Sequence, residues 1–142
     1  MPERSFHSEV VGAWRDGWAG HLSQQELVDV FERVLATLWC RAHLSLGDIT
    51  LMAIVDRVLH EGVRVYPHLA PLKVEASGTD FGALREAAPR VAVALLEESL
   101  VFLVVELLRV LGVLTGEILT PGLHAELRKV QVRPADERGG SS

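Results

Sequence analysis

Apolar residues recur along this chain with more than one rhythm. Over residues 6–20, Val11, Trp14 and Trp18 fall on one stripe at helical spacing, weakened by Gly12, Gly17 and Gly20. The next stretch, HLSQQELVDVFERVLATLWCRAHL, is a stronger amphipathic helix: Leu27, Phe31, Val34, Leu38 and Ala42 share a face, and Asp29, Glu32 and Arg33 lie away from it. Ser23 followed by Glu26 has the form of a capping box. A third helix is expected in LSLGDITLMAIVDRVLHEG, with Asp48 as its cap and Gly62 as its stop. Over residues 63–78 the period falls to two, with Val63, Val65, Leu72, Val74 and Ala76 alternating with Arg64, Lys73 and Glu75. Pro67 and Pro71 bracket an interruption, because neither can donate a ladder hydrogen bond. The pattern predicts two short strands, 63–66 and 72–76, paired as a hairpin. Thr79 or Ser77 then caps a short helix, and Pro89 opens another.

That helix is expected from about 89 to about 118. On it Glu98, Glu106, Arg109 and Glu117 fall within about a third of the circumference, and the rest is Leu, Val, Ala and Phe. A helix with one thin wet stripe belongs at the centre of a bundle or in a seam between chains. A last helix restarts at Thr120, its expected cap, with Pro121 in the first position. The predicted fold is mainly α with a short β-hairpin (α+β), a helical bundle around a long, nearly all-apolar C-terminal helix. One domain is expected over 1–133: a Trp-bearing arm at 1–22, two amphipathic helices at 23–62, the strands at 63–78 and helices over 79–133. Residues 134–142 read as a flexible polar tail.

Composition sharpens this picture. Hydrophobic residues make up 49% of 142 residues, and mean hydropathy is +0.23. A domain this small has much surface for its volume, so apolar residues at this density suggest that a second chain covers part of them. The net charge of −5 argues against a nucleic-acid binder and against electrostatic attachment to anionic membranes. Cys40 is the single cysteine, so no internal disulfide forms, which fits a reducing, cytoplasmic setting. No secretory h-region opens the chain, and Glu97, Glu98, Glu106 and Arg109 interrupt the most apolar helix, so no membrane span is expected.

Catalytic patterns do not emerge. None of the six histidines stands in an HExxH or ExxH frame, and Cys40 and His43 have no second ligand pair, so no metal site is assigned. Glu97 and Glu98 diverge by 100° and cannot act on one atom. In so apolar a helix Glu106 must pair, reach solvent or acquire a raised pKa: it reads as a pair with Arg109 at i, i+3, a candidate buried ion pair that can lie at a wet edge of the helix, with a proton-handling carboxylate as the alternative. There is no GxSxG, P-loop or GxGxxG motif, and Gly112 and Gly116 at GxxxG spacing read as helix-end punctuation. No catalytic or cofactor-binding residue is assigned, and no cofactor is expected. The pattern points to a non-enzymatic assembly or interaction protein, a homo-oligomer or a binder of another protein. Its expected interface comprises Trp14, Trp18, Val101, Val104, Val105, Leu108 and Leu111. The alternative is a regulatory or sensory helical module that binds a small apolar ligand or a signalling partner.

The stretch DITLMAIVDRVLHEGVRV, residues 48–65, resembles the first helix and strand of the small gas-vesicle shell and accessory proteins. LKVEASGTDFGALR loosely resembles their second strand and following helix, and ESLVFLVVELLRVL looks like the leucine-rich helix of the K-type accessory proteins. The resemblance implies a helix–hairpin–helix fold, side-by-side assembly without catalysis, and a helix-to-strand signature of Asp56, Arg57 and Gly62 with Val63 and Val65 in the strand. A Pro-bracketed loop at 67–71 replaces the tight turn of those families, and residues 1–45 have no counterpart in them. If the apolar helix is a seam, Val104→Glu abolishes assembly or folding. A soluble, folded Val104→Glu monomer that keeps its partners, seen by light scattering and pull-down, overturns the seam.

Overall fold

The computed structural model describes residues 6–18, 22–75 and 78–130. Among them lie five helices and one two-stranded antiparallel sheet: α1 (Phe6–Asp16), α2 (Gln24–Val65), β1 (Lys73–Glu75), β2 (Gly78–Asp80), α3 (Gly82–Ala87), α4 (Val93–Leu114) and α5 (Thr120–Lys129). The mainly helical fold with one hairpin agrees with the reading of the sequence.

The capping box at the start of α2 forms as its sequence predicts. Ser23 Oγ accepts from the Glu26 amide at 3.2 Å, and Glu26 Oε1 accepts from the Ser23 amide at 2.9 Å. The longest helical run is this one, in the N-terminal half, and not the apolar C-terminal helix. Inside it Gly47 departs from helical geometry at φ 79, ψ 172, so α2 has two arms, 24–46 and 48–65. Only glycine adopts that backbone without strain.

Contacts along α4 give the arms their direction. Near its start, Gln24 Nε2 donates to Val91 O at 3.2 Å, Tyr66 Oη donates to Glu98 at 2.7 Å, and Arg15 pairs with Glu97 at 3.2 Å. Both ends of α2 therefore lie at the N-terminal end of α4. Towards the other end, Arg41 packs over Gly122 at the start of α5, and His7 faces Glu117 just beyond α4. So α2 is a helical hairpin that rises along α4, turns at Gly47, and descends. α1 and α5 run down beside it.

The core follows from this arrangement. Leu96, Leu100, Leu103, Val104, Leu108 and Leu111 of α4 are buried against Phe31, Leu38, Leu51 and their neighbours on the arms of α2, and against Leu123 and Leu127 of α5. Gly62 permits a close approach of α2 to α4: a Cβ there would come within 2.7 Å of Leu103 Cδ2.

Several local expectations are corrected. Gly62 does not stop the helix; it is buried inside α2, which runs on to Val65 and ends where the Tyr66 amide bonds Gly62 O at 2.7 Å. Val63 and Val65 are therefore helical, not the first strand. Alternation over so few residues is also compatible with a helix end, and the buried face set by Val58, Leu59 and Gly62 wins. The strand at 72–76 is shorter, Lys73–Glu75, and its partner is Gly78–Asp80, with Val74 opposite Thr79. Thr79 is thus a strand residue and caps nothing; the Asp80 carboxylate accepts from the Gly82 amide at 2.9 Å. Ser77 and Ala76 lie outside the described residues. Asp48 pairs with His43 at 2.6 Å. α4 is shorter than 89–118: Pro89 sits in a 3-10 turn before it, and Gly116 and Glu117, at φ 61 and 68, turn the chain after it. Thr120 starts α5 without capping it, and its hydroxyl donates to Glu117. The expected tail, 134–142, lies outside the described residues.

At Gly47 a Cβ would meet nothing within 4 Å, so the effect of substitution there is purely conformational. Gly47→Ala is expected to lower stability by about 1–3 kcal/mol, measured by urea unfolding, with the helical circular-dichroism signal of the folded state unchanged.

Candidate functional site

Of the seven expected interface residues, Val104, Leu108 and Leu111 are fully buried by the chain's own helices. They cannot meet another chain in this fold, and the seam placed on them is corrected. The two arms of α2 together with α5 supply the cover that the sequence pattern left to a partner. Val101 and Val105 are half-buried against the same core.

Trp14 and Trp18 also turn inward. Their rings pack edge-to-face 5.2 Å apart, and both contact Phe31, at 5.8 and 6.0 Å. Trp14 Nε1 donates to Val130 O at 3.2 Å, tying α1 to the end of α5. Trp18 Nε1 is buried with no acceptor among the described residues. These aromatics dock α1 on the molecule itself.

Glu106 and Arg109 do pair, with Arg109 Nε donating to Glu106 Oε1 at 3.2 Å. The pair is not buried: half of the Arg109 side chain is exposed, so it sits at a wet edge of α4. The Glu106 hydrogen bond raises the guanidinium pKa further above its ordinary value.

The structure reveals a different surface. At the turn of α2, Leu44 is 82% exposed and Ile49 84% exposed. Just past α4, Ile118 is 80% exposed, with Val113 and Leu114 each more than half exposed. The direction of the arms puts both groups at the same end of the bundle. The charges beside this end are taken up within the chain: His43 pairs with Asp48, and Arg41 faces Glu126 at 3.8 Å. Next to Leu44 an open groove of about 390 Å³ runs between α2 and α5, lined by Ala36, Thr37, Cys40, Arg41 and Glu126.

Two polar pairs lie inside the fold. His7 Nδ1 and His124 Nε2 are 2.9 Å apart and both side chains are buried, with Glu117 Oε1 3.7 Å from His7 Nε2. Burial lowers the pKa of both histidines; Glu117 opposes this, and Arg109 adds to it at His7 and Arg128 at His124. Elsewhere His68 Nε2 lies 2.8 Å from Ser99 Oγ, which itself donates to Leu96 O at 2.8 Å. The pair fastens the turn after α2 to α4. Among the described residues no group of three His, Cys, Asp or Glu side chains is placed to hold a metal ion. By length and composition α2 is long and apolar enough to cross a membrane, with a window of mean hydropathy 1.2 that is 33% buried; Gly47 breaks its helical geometry.

These features define an α-helical bundle with a two-stranded appendage, an apolar end and a buried histidine pair. No family model matches the chain, no curated protein is significantly similar to it, and no solved structure matches it significantly.

Because Glu106 and Arg109 are a solvated i, i+3 pair, Glu106→Gln is expected to cost less than about 1 kcal/mol. Thermal unfolding at low and high salt checks this: a larger loss, unaffected by salt, contradicts a wet-edge pair.

Proposed function

We propose that this chain is a non-catalytic assembly protein that binds a second copy of itself through the apolar end formed by Leu44, Ile49, Val113, Leu114 and Ile118. The observation that carries the reading is the exposure of these five large aliphatic side chains at one end of the bundle. They present roughly 600 Å² of apolar surface, at the upper limit of what a monomer usually exposes in one place. Two such faces closing on each other bury roughly 1,200 Å², the lower bound of a specific interface. A lipid surface fits less well. Interfacial segments usually carry a cationic face and aromatic anchors, whereas Arg41 is engaged with Glu126 and the tryptophans Trp14, Trp18 and Trp39 pack on the core.

The alternative, a sensor of small apolar ligands, draws less support, since the grooves beside Cys40 and beside His60 are open rather than enclosed. A gas-vesicle accessory role is the most specific form of the assembly reading. Its support rests on the leucine-rich helix α4, because Val63 and Val65 are helical. The proposal keeps the cytoplasm as the setting, where the exposed Cys40 stays a thiol.

Light scattering on a size-exclusion column is expected to give twice the 15.6 kDa protomer mass. Ile49→Glu combined with Ile118→Glu is expected to yield a helical monomer. A wild-type monomer at every concentration tested, or a double variant that stays dimeric, overturns the reading.

A further inference from the structure

We propose that His7 and His124 form a proton-sensitive latch that holds α1 on the bundle at neutral pH and releases it in mild acid. The inference is independent of self-association and rests on the placement of the pair. The two imidazoles lie 117 positions apart in sequence and join α1 directly to α5, with ring centroids 5.0 Å apart in an edge-on arrangement. Three further ties hold α1: the Trp14 indole on Val130 O, the Arg15–Glu97 pair, and the apolar contacts of Val10, Val11 and Trp14.

The hydrogen-bond chemistry makes the junction sensitive to protons. In a neutral pair one ring donates N–H to the unprotonated nitrogen of the other. Glu117 faces His7 Nε2, which favours a proton on that nitrogen and leaves Nδ1 to accept from His124 Nε2–H. A first added proton makes a buried imidazolium. A second puts N–H against N–H and removes the bond. Among the described residues the charged groups around the pair include Glu117 from the α4–α5 connection, Arg109 from α4 and Arg128 from α5, with Glu9 on α1 lining the same groove as Arg128. Glu117 favours the charged forms; Arg109 opposes them at His7, and His7 and Arg128 oppose them at His124.

The sign follows by linkage. Burial holds both histidines below their ordinary value of 6.5 while α1 is docked. On opening they return to it, so opening takes up protons and becomes easier as pH falls below about 6.5. Each histidine can raise the opening constant by at most about tenfold per pH unit. Release also means melting. α1 has 11 residues with Gly12 inside, and an isolated helix shorter than about 12–15 residues is marginal in water. Opening would expose Phe31 and the two tryptophans that cover it. His68 is also held low by burial, but it fastens the turn after α2 to Ser99 and does not touch α1.

The test is amide hydrogen exchange on the full chain at about pH 7.5 and about pH 5, corrected for intrinsic exchange rates. The expected result is at least a tenfold loss of protection across residues 6–16 in acid, with residues 100–111 of α4 unchanged. His7→Gln combined with His124→Gln is expected to flatten the response. If α1 keeps its protection in acid, or α1 and α4 lose it in step, the latch is overturned. It is also overturned if the double variant keeps the acid response, or if His68→Gln removes it. Should the double variant not fold, the comparison of α1 with α4 in the wild type decides alone.

Discussion

Everything in this molecule depends on covering α4. Its mean composition is so apolar that an uncovered face would cost several kilocalories per mole, since each buried leucine contributes about 1.5–3 kcal/mol. The chain meets the demand with a single device. α2 runs along α4, turns at Gly47 and returns, so one segment supplies two walls. α1 and α5 cover further sides, and the edge bearing Glu106 and Arg109 stays wet, as do both ends of α4. The β-hairpin and α3 are secondary to this. Arg85 of α3 bonds Asp29 and Glu32 on α2, and Gln25 donates to Arg85 O at 2.9 Å, so α3 braces the outer face of the first arm.

A reversal of this kind has a consequence at its tip. At the tip of a helical hairpin the neighbouring walls end: Leu46 still packs on the core, but an aliphatic side chain that points outward stays in water. Leu44 and Ile49 are left so, and the turn after α4 leaves Val113, Leu114 and Ile118 at the same end. Polar residues would serve a bare turn better. The high mean hydropathy that first suggests a partner is thus resolved into two parts. Most of the apolar surplus is buried inside the chain; the most exposed of the rest lies at one end, and Val65, Val93 and Leu95 are partly exposed at the other.

Much of the fold was legible in the pattern of residues because it rests on local rules. The capping box at Ser23 and Glu26, the break near residues 44–48, the turn after α4 at Gly116 and the pairing of Glu106 with Arg109 are all set by near neighbours. Errors arose where tertiary packing chose between two local readings. Val63 and Val65 alternate with polar residues as a strand would, yet the contact between Gly62 and Leu103 extends the helix through them. Val104, Leu108 and Leu111 looked like a seam because nothing in the sequence says that residues 24–65 fold back and cover both sides of α4. The exposed end was hidden for the same reason, since Leu44 and Ile118 fall at the same end only once the direction of each arm is known. The histidine pair had no signal at all: two single histidines, one on each of two short helices, acquire meaning only when they meet.

The buried pair and the apolar end are not separate in the structure. Glu117 links them. Its carboxylate faces His7 and accepts from Thr120, its amide bonds Gly112 O at 2.7 Å, and its backbone stands in the left-handed region at φ 68. The next residue is Ile118, one of the most exposed aliphatic side chains. The Glu117 carboxylate favours the charged form of His7, so the residue that shapes the turn carrying part of the apolar face also faces the histidine pair. The two features meet because α1 reaches the first half of α5, at His124, beside the turn that follows α4.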